Sequence, residues 1–95
     1  MKTLRAAIIG CGKIAQVHAQ TFLNIEETEL VAVQSRSAAK AEATAGKFGA
    51  RPYTDIAEMI QRERVDIAVI CTPHPAHRGA AITAMRNGAH VMVEK

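Results

Sequence analysis

The segment from Ala6 to Ala15 constrains the fold of this chain more than any other. It reads Ala-Ala-Ile-Ile-Gly-Cys-Gly-Lys-Ile-Ala, an apolar run long enough for one buried strand, with glycines at positions 10 and 12. Gly10 permits a tight turn off the strand, and Gly12 lets the backbone be approached closely because it has no Cβ. Ala15 lets the following helix pack close to the sheet. The segment therefore predicts a strand, a glycine turn and a helix in immediate succession.

The same segment has the G-x-G-x-x-A spacing of turns that bind the pyrophosphate of a dinucleotide. In such turns the phosphates face unpaired N–H groups and the positive end of the helix dipole. An ordinary glycine turn is the alternative for an isolated match, but the position between a strand and a helical pattern favours dinucleotide binding. The residues expected to contact the cofactor here are Gly10, Gly12, Lys13, Ile14 and Ala15.

The rest of the chain alternates strand and helix patterns. Strands are predicted at Arg5–Ile9, Leu30–Val33, Arg51–Tyr53, Val65–Ile70 and His90–Val93, and helices at Lys13–Asn24, Ala38–Phe48, Ile56–Arg62 and Pro75–Asn87. Gly49 and Gly88 lie where glycine ends a helix, and Pro52 restricts its strand to an edge. Strict alternation indicates parallel pairing with right-handed crossovers. The predicted fold class is α/β, a Rossmann-type doubly wound parallel sheet of about five strands in the order 3-2-1-4-5.

Finer expectations concern helix faces and caps. The apolar face of the first helix is expected to contain Ile14, Val17, His18, Phe22 and Leu23. Thr54 or Asp55 is expected to cap the third helix, whose apolar positions are Ile56, Met59 and Ile60.

Length, composition and charge exclude several classes of protein. Ninety-five residues allow one domain, 1–95, with a thin core. The formal net charge of +3 comes from scattered Lys and Arg without interleaved aromatic residues, so no nucleic-acid partner is expected. No apolar segment approaches the ~20 residues of a membrane span, and the N-terminus lacks a signal-peptide pattern. Cys11 and Cys71 lack C-x-x-C spacing, which predicts buried free thiols and a cytoplasmic location.

The end of the second predicted strand indicates which nicotinamide cofactor fits. In dinucleotide-binding folds an acidic residue about 20 positions past the glycines binds the adenosine ribose. This chain has Gln34-Ser35-Arg36-Ser37 there, without a carboxylate that would repel a 2′-phosphate. Ser35, Arg36, Ser37 and, one turn later, Lys40 are the candidates for binding that phosphate. NADP is therefore predicted and NAD kept as the alternative, since Ser37 could be only a helix cap and Arg36 can stack on adenine.

Two further segments make the chain resemble a known family. Thr72-Pro73-His74-Pro75-Ala76-His77 follows the fourth predicted strand, and Glu94-Lys95 follows the fifth. Together with the glycine turn, they resemble the N-terminal half of the glucose–fructose oxidoreductase/inositol dehydrogenase/MocA family. The resemblance covers the whole chain, with the three motifs in order. The family's second motif usually reads T-P-N-x-x-H, so His74 replaces the usual Asn.

The resemblance implies roles for these residues. Thr72, Pro73, His74 and His77 would lie near the nicotinamide ribose, and Glu94 would help position the cofactor. The family's third motif is E-K-P, and its lysine takes part in catalysis. Lys95 would therefore polarise the substrate oxygen and pass its proton during hydride transfer to or from a sugar, cyclitol or related alcohol or carbonyl compound. His18 and His90 are expected to be structural, and the spacing of the histidines predicts no metal site.

The sequence also departs from the family pattern at its end. No proline follows Lys95, and neither a sixth strand nor the family's substrate domain is present. The expectation is a cofactor-binding fragment without turnover of its own, whose exposed sheet edge leaves homo-oligomer formation open. A non-catalytic nucleotide-binding or ligand-sensing module is the alternative function. A domain that binds CoA or S-adenosylmethionine is disfavoured, because methyltransferase glycine turns usually have a different spacing and an acid at the second strand.

Overall fold

A five-stranded parallel sheet forms the centre of the molecule. The computed structural model describes residues 3–10, 12–72 and 74–93, without the side chains of residues 13, 23 and 74–77. The elements in chain order are β1 Leu4–Ile9, α1 Lys13–Leu23, β2 Thr28–Gln34, α2 Ala38–Phe48, β3 Arg51–Tyr53, α3 Ile56–Glu63, β4 Ile67–Ile70, α4 His74–Arg86 and β5 His90–Val93. The strand order is β3-β2-β1-β4-β5, and all pairings are parallel. The predicted Rossmann-type α/β fold and its strand order are confirmed.

The central strand β1 has apolar residues on both faces because both faces are covered. Ala6, Ala7, Ile8 and Ile9 are all completely buried. Ala6 and Ile8 pack with residues of α1, whereas Ala7 and Ile9 pack with Met59 and Ile60 of α3 and with α4. A continuous apolar run of this kind is typical of a parallel strand between two helical layers.

The face of α1 that meets the sheet differs from the predicted one. Ala15, Ala19 and Phe22 are buried, whereas Ile14 and Val17 are 40% and 58% exposed, so the apolar face expected for this helix was partly wrong. Small alanine side chains allow the helix axis to approach the strands, and this close approach leaves the larger residues at the flank. The prediction that Ala15 packs closely on the sheet is confirmed.

Helix ends follow local backbone chemistry. Gly49 ends α2 with φ +69°, and Gly88 follows α4 with φ +96°, as predicted. Asp55 caps α3 by accepting a hydrogen bond from the Ala57 N–H at 3.2 Å. Arg64 ends α3 with φ +51°, and the following Val65 N–H donates to the Ile60 carbonyl at 3.1 Å. Because Val65 closes the helix, β4 begins at Ile67 and not at the predicted Val65.

A buried carboxylate joins β1, β3 and α3 at one side of the sheet. The Glu63 side chain is only 5% exposed. It accepts hydrogen bonds from the Tyr53 hydroxyl at 2.6 Å and from Arg5 Nη2 at 3.4 Å, and it lies 3.5 Å from Arg51 Nη1. Arg5 Nε also donates to the Glu63 main-chain carbonyl at 2.5 Å. A buried carboxylate needs such partners, because burial without them costs several kcal/mol.

Tyr53 gives this cluster a spectroscopic reporter, because it is the chain's single tyrosine and the chain has no tryptophan. Burial raises the pKa of Tyr53 above 10.0, and the hydrogen bond to Glu63 and its negative charge raise it further. We expect the phenol absorbance of the native chain to titrate at a higher pH than that of the chain unfolded in urea. A midpoint in the native chain at or below that of the unfolded chain would contradict this assignment.

The same pKa shift predicts how stability depends on pH. The native state holds the Tyr53 proton more tightly than the unfolded state, so the free energy of unfolding falls as the pH rises above about 10. Below that pH the contribution is fully present. Urea denaturation of the parent and of Tyr53→Phe at pH 9 and pH 11 measures it, because the variant lacks the titrating group. We expect the difference in stability between the two proteins to shrink at the higher pH.

Candidate functional site

The carboxyl ends of β1, β2 and β4 meet at one edge of the sheet, and the predicted site residues lie in the loops that leave this edge. Ile9 pairs with Gln34 on one side and with Ile70 on the other. The residues that follow these strands are thereby brought side by side, although they are far apart in sequence. This is the edge at which open α/β sheets bind ligands.

Gly10 forms the turn off β1 and is the most tightly enclosed glycine of the site. Its φ is +104°, and its N–H donates to the Gln34 carbonyl at 2.7 Å. A Cβ at this position would lie 2.9 Å from the Cys71 carbonyl carbon and 3.0 Å from the Thr72 nitrogen. The neighbouring atoms are backbone, so they cannot move aside as a flexible side chain would. Gly10 is therefore required both for its backbone conformation and for contact between two loops.

Gly12, unlike Gly10, is not enclosed by neighbouring atoms, and it directly precedes α1. It is exposed, its φ is −134°, and a Cβ built on it would have no neighbour within 4 Å. It is the N-cap of α1, and among the described side chains none caps that helix. The first N–H groups of α1 therefore lie beside open space, next to a residue that adds no side chain there. This arrangement fits the approach of an anionic group to the helix end.

The turn between β2 and α2 places the candidate phosphate-binding residues close together. Ser35 is 9% exposed, and its hydroxyl oxygen accepts a hydrogen bond from the Ser37 N–H at 3.2 Å. The Ser37 hydroxyl accepts from the Lys40 N–H at 3.3 Å, so Ser37 is the N-cap of α2, the alternative noted from the sequence. Arg36 and Lys40 are exposed. The turn thus contains one exposed cation, Arg36, and two serine hydroxyl groups but no carboxylate, and the exposed Lys40 lies in the first turn of α2.

Several predicted site residues lie outside the described part of the chain. Thr72 is half-buried, and its backbone nitrogen contacts the glycine turn. His74 begins α4 and His77 lies in its first turn, but their side chains are not described. Four of the residues singled out from the sequence lie outside the described part of the chain, namely Cys11, Pro73, Glu94 and Lys95. The side chain of Lys13 is outside it too, whereas Ile14 is partly exposed and Ala15 buried.

Three other side chains with the chemistry of possible ligands are His18, His90 and Cys71. His18 is half-buried on α1, and His90 is exposed at the start of β5. The Cys71 side chain is half-buried and not fully buried as predicted. Among the side chains that the structure describes, which do not include those of His74 and His77, no group of three or more His, Cys, Asp or Glu could hold a metal ion. Within residues 3–10, 12–72 and 74–93, no helix has both the length and the apolar character needed to cross a membrane.

One polar side chain at this edge, Gln34, was not among the predicted site residues. Gln34 is 5% exposed, and its side-chain nitrogen donates to the Thr54 carbonyl at 2.9 Å. The signal that could have indicated it is a polar residue at the last position of an apolar strand. A residue there that does not contact a ligand must find partners within the protein.

Comparison with known proteins decides the family. A model of the glucose–fructose oxidoreductase/inositol dehydrogenase/MocA oxidoreductase family, described as an NAD-binding Rossmann fold, matches residues 4–95. The chain belongs to this family.

Two relatives with known activities are similar along almost the whole chain. The 4-carboxy-2-hydroxymuconate-6-semialdehyde dehydrogenase of Sphingobium sp. is 38% identical over 92 residues, which are 96% of this chain and 29% of that protein. The scyllo-inositol 2-dehydrogenase (NADP(+)) of Bacillus subtilis is 36% identical over 93 residues, 97% of this chain and 28% of that protein. The chain therefore spans less than a third of the length of these relatives.

A solved structure shows the same fold with a cofactor. The scyllo-inositol dehydrogenase from Lactobacillus casei, with bound NAD(H) and scyllo-inositol, superposes with a TM-score of 0.88 and 27% sequence identity. The match covers 99% of this chain and 28% of that one. Relatives of this chain thus use nicotinamide cofactors, NAD(H) in the Lactobacillus casei enzyme and NADP(+) in the Bacillus subtilis enzyme.

Proposed function

We propose that this chain is a nicotinamide-binding domain that prefers NADP to NAD, within an oxidoreductase acting on a sugar, cyclitol or related alcohol or carbonyl compound. The observation that carries the choice of cofactor is the turn after β2. There Ser35, Arg36 and Ser37 lie together, and no carboxylate is present. An acid at this turn would repel a 2′-phosphate, whereas a guanidinium and hydroxyl groups bind one.

The described residues fit a dinucleotide along the whole edge. Gly10 brings the β1 turn against the β4 loop, and exposed Gly12 leaves the uncapped end of α1 open to the pyrophosphate. Arg36 and Lys40 are exposed and free to turn toward a 2′-phosphate, with Ser37 between them. Ser35 is mostly covered, so we assign it chiefly to shaping the turn while its hydroxyl hydrogen remains available as a donor. By the family motif, the nicotinamide ribose would lie near Thr72, Pro73, His74 and His77.

The reaction proposed for the whole protein rests on the motif at the end of the chain. The nicotinamide ring, when bound, supplies the acceptor or donor of a hydride. Lys95 would hold the proton of the substrate oxygen and polarise that oxygen, and Glu94 would keep the cofactor in place. A lysine can do this at neutral pH only where burial or a nearby positive charge lowers its pKa. The relatives named above include cyclitol and semialdehyde dehydrogenases, which supports an alcohol or carbonyl substrate.

The preference for NADP is tested by titrating the chain separately with NADPH and NADH. We expect NADPH to bind more tightly, and Arg36→Ala to weaken NADPH binding by about tenfold or more, the loss of one charge-assisted contact. NADH binding should change far less. Arg86→Ala is the matched control, because Arg86 is an exposed arginine in the last turn of α4, remote from this edge.

A second variant tests the same turn in the opposite direction. Ser35→Asp restores the acid that binds the ribose hydroxyls in NAD-dependent proteins. We expect it to reverse the preference, because the carboxylate repels the 2′-phosphate and accepts hydrogen bonds from the ribose. Equal affinities for NADPH and NADH in the parent chain would contradict the proposed preference. Binding of neither nucleotide would contradict the proposed function itself.

A further inference from the structure

We infer that Gln34 is a positioning residue for cofactor selectivity: its buried amide fixes the Ser35–Ser37 turn in the shape that accepts a 2′-phosphate. The inference rests on the proposed preference for NADP and assigns part of that preference to a side chain that does not touch the cofactor. It follows from the hydrogen bonds that converge on Gln34, from its burial and from its place next to the turn.

Gln34 connects three loops at the carboxyl edge of the sheet. Its main-chain carbonyl accepts from the Gly10 N–H at 2.7 Å, which holds the glycine turn. Its side-chain Nε2 donates to the Thr54 carbonyl at 2.9 Å, which holds the loop between β3 and α3. The next residue, Ser35, donates its N–H to the Tyr53 carbonyl at 3.0 Å. The start of the Ser35–Ser37 turn is therefore fastened on both sides through this one residue and its neighbour.

The burial of the Gln34 amide indicates that its hydrogen bonds are made within the protein. The two preceding residues of β2, Ala32 and Val33, are apolar and completely buried, so Gln34 is a polar side chain at the end of a buried apolar run. Gln34 is 5% exposed, so its amide has lost contact with water and depends on protein partners. The partner identified for Nε2 is a main-chain carbonyl of a loop and not another core side chain. The bond thus fixes the relative position of two loops.

The fixed position matters because Ser35 cannot adapt by itself. Its hydroxyl oxygen already accepts from the Ser37 N–H, and Ser37 in turn caps α2. These two hydrogen bonds link the end of β2 to the start of α2, and Arg36 lies in the segment that they hold. A small displacement at Gln34 is passed to Arg36, the residue assigned to the 2′-phosphate, whereas the 5′-phosphate is assigned to the glycine turn and the start of α1. Loss of the Gln34 amide should therefore reduce selectivity for the 2′-phosphate more than affinity for the rest of the nucleotide.

The test compares two nucleotide fragments and two glutamine variants. Gln34→Met removes the Nε2 donor while keeping an unbranched side chain suited to a buried site. Gln61→Met is the control, since Gln61 also donates through Nε2, to Asn87 Oδ1 at 2.6 Å, between α3 and the end of α4. Dissociation constants are measured for adenosine 2′,5′-bisphosphate and for 5′-AMP. Urea denaturation of both variants reports whether each remains folded.

We expect Gln34→Met to lower the ratio of the affinity for adenosine 2′,5′-bisphosphate to the affinity for 5′-AMP by about fivefold or more. This factor corresponds to the loss of one hydrogen bond. Gln61→Met should leave the ratio unchanged. A selective parent chain whose Gln34→Met variant is equally selective overturns the inference and leaves the proposed function intact. A parent chain that does not distinguish the two fragments overturns the proposed preference for NADP and this inference with it. An equal change of ratio in both variants assigns the effect to general destabilisation and also overturns the inference.

Discussion

Gly10→Ala is expected to prevent both stable folding and nucleotide binding. The new Cβ would lie 2.9 Å from the Cys71 carbonyl carbon, closer than such atoms approach, and the φ of +104° is itself unfavourable for alanine. The backbone conformation alone costs about 1–2 kcal/mol, and the contact with main-chain atoms adds to it because those atoms belong to a paired strand end. Chains of this size have only about 5–15 kcal/mol of stability to lose. Urea denaturation followed by circular dichroism measures the loss.

Gly12→Ala is the matched comparison for this prediction. Its Cβ would meet nothing within 4 Å, and its φ of −134° is accessible to any residue. We expect its stability to fall by less than about 1 kcal/mol, the usual difference between Gly and Ala at a helix N-cap. Nucleotide binding should nevertheless weaken strongly, since the methyl group occupies the space in front of the α1 N–H groups. The two variants would then show that Gly10 is needed for folding and Gly12 for binding. Similar losses of stability in both variants would contradict these different roles.

Glu63→Ala is expected to destabilise the chain by about 2–4 kcal/mol, which corresponds to a fall in the melting temperature of roughly 10–20 °C for a domain of this size. The variant leaves the Tyr53 hydroxyl without its acceptor, and the Arg5 guanidinium keeps only the Glu29 carboxylate, 3.7 Å away. Arg51 contributes little to this value, because its side chain is 77% exposed and its ion pair is screened by water.

Two further variants identify the origin of this loss. Glu63→Gln keeps an oxygen that can accept from the Tyr53 hydroxyl, so it should lose less stability than Glu63→Ala. It should also lower the pH at which Tyr53 titrates, because the negative charge next to the phenol is removed. Glu42→Ala, at an exposed position of α2, is the control and should change stability by less than about 0.5 kcal/mol. A loss as small as that of Glu42→Ala would contradict the role given to Glu63.

The fold could be predicted from local patterns because each pattern had one physical interpretation. Residues 6–9 are apolar without a break, which indicates a strand covered on both sides, and Gly49 and Gly88 end their helices by adopting positive φ. Strand alternation then fixed the order of the sheet. The boundary at Val65 was wrong because the preceding Arg64 ends α3 in a left-handed conformation, which a sequence pattern rarely reveals for a non-glycine residue.

The candidate site was harder to predict, since its geometry depends on contacts between distant segments. The sequence indicates that Gly10 begins a tight turn, but the contact with Cys71 and Thr72 joins residues about sixty positions apart. The exposed side of α1 depends on how closely Ala15 and Ala19 approach the sheet. Glu63 and Gln34 look like surface residues in sequence, and only their partners on other strands and loops make them buried. The roles of Glu94 and Lys95 remain predictions from the family motif.

The central place of β1 also governs the order in which the chain can fold. β1 pairs with β2, about twenty-five residues later in the chain, and with β4, about sixty residues later. Both edges of β1 remain unpaired until those strands arrive, and the two faces of Ala6–Ile9 remain exposed until α1, α3 and α4 pack on them. Parallel sheets with such non-local pairing fold slowly, and an unpaired apolar strand is prone to aggregate during that interval. The yield of folded protein should therefore be limited by the lifetime of unpaired β1 and should increase when refolding is carried out at low protein concentration.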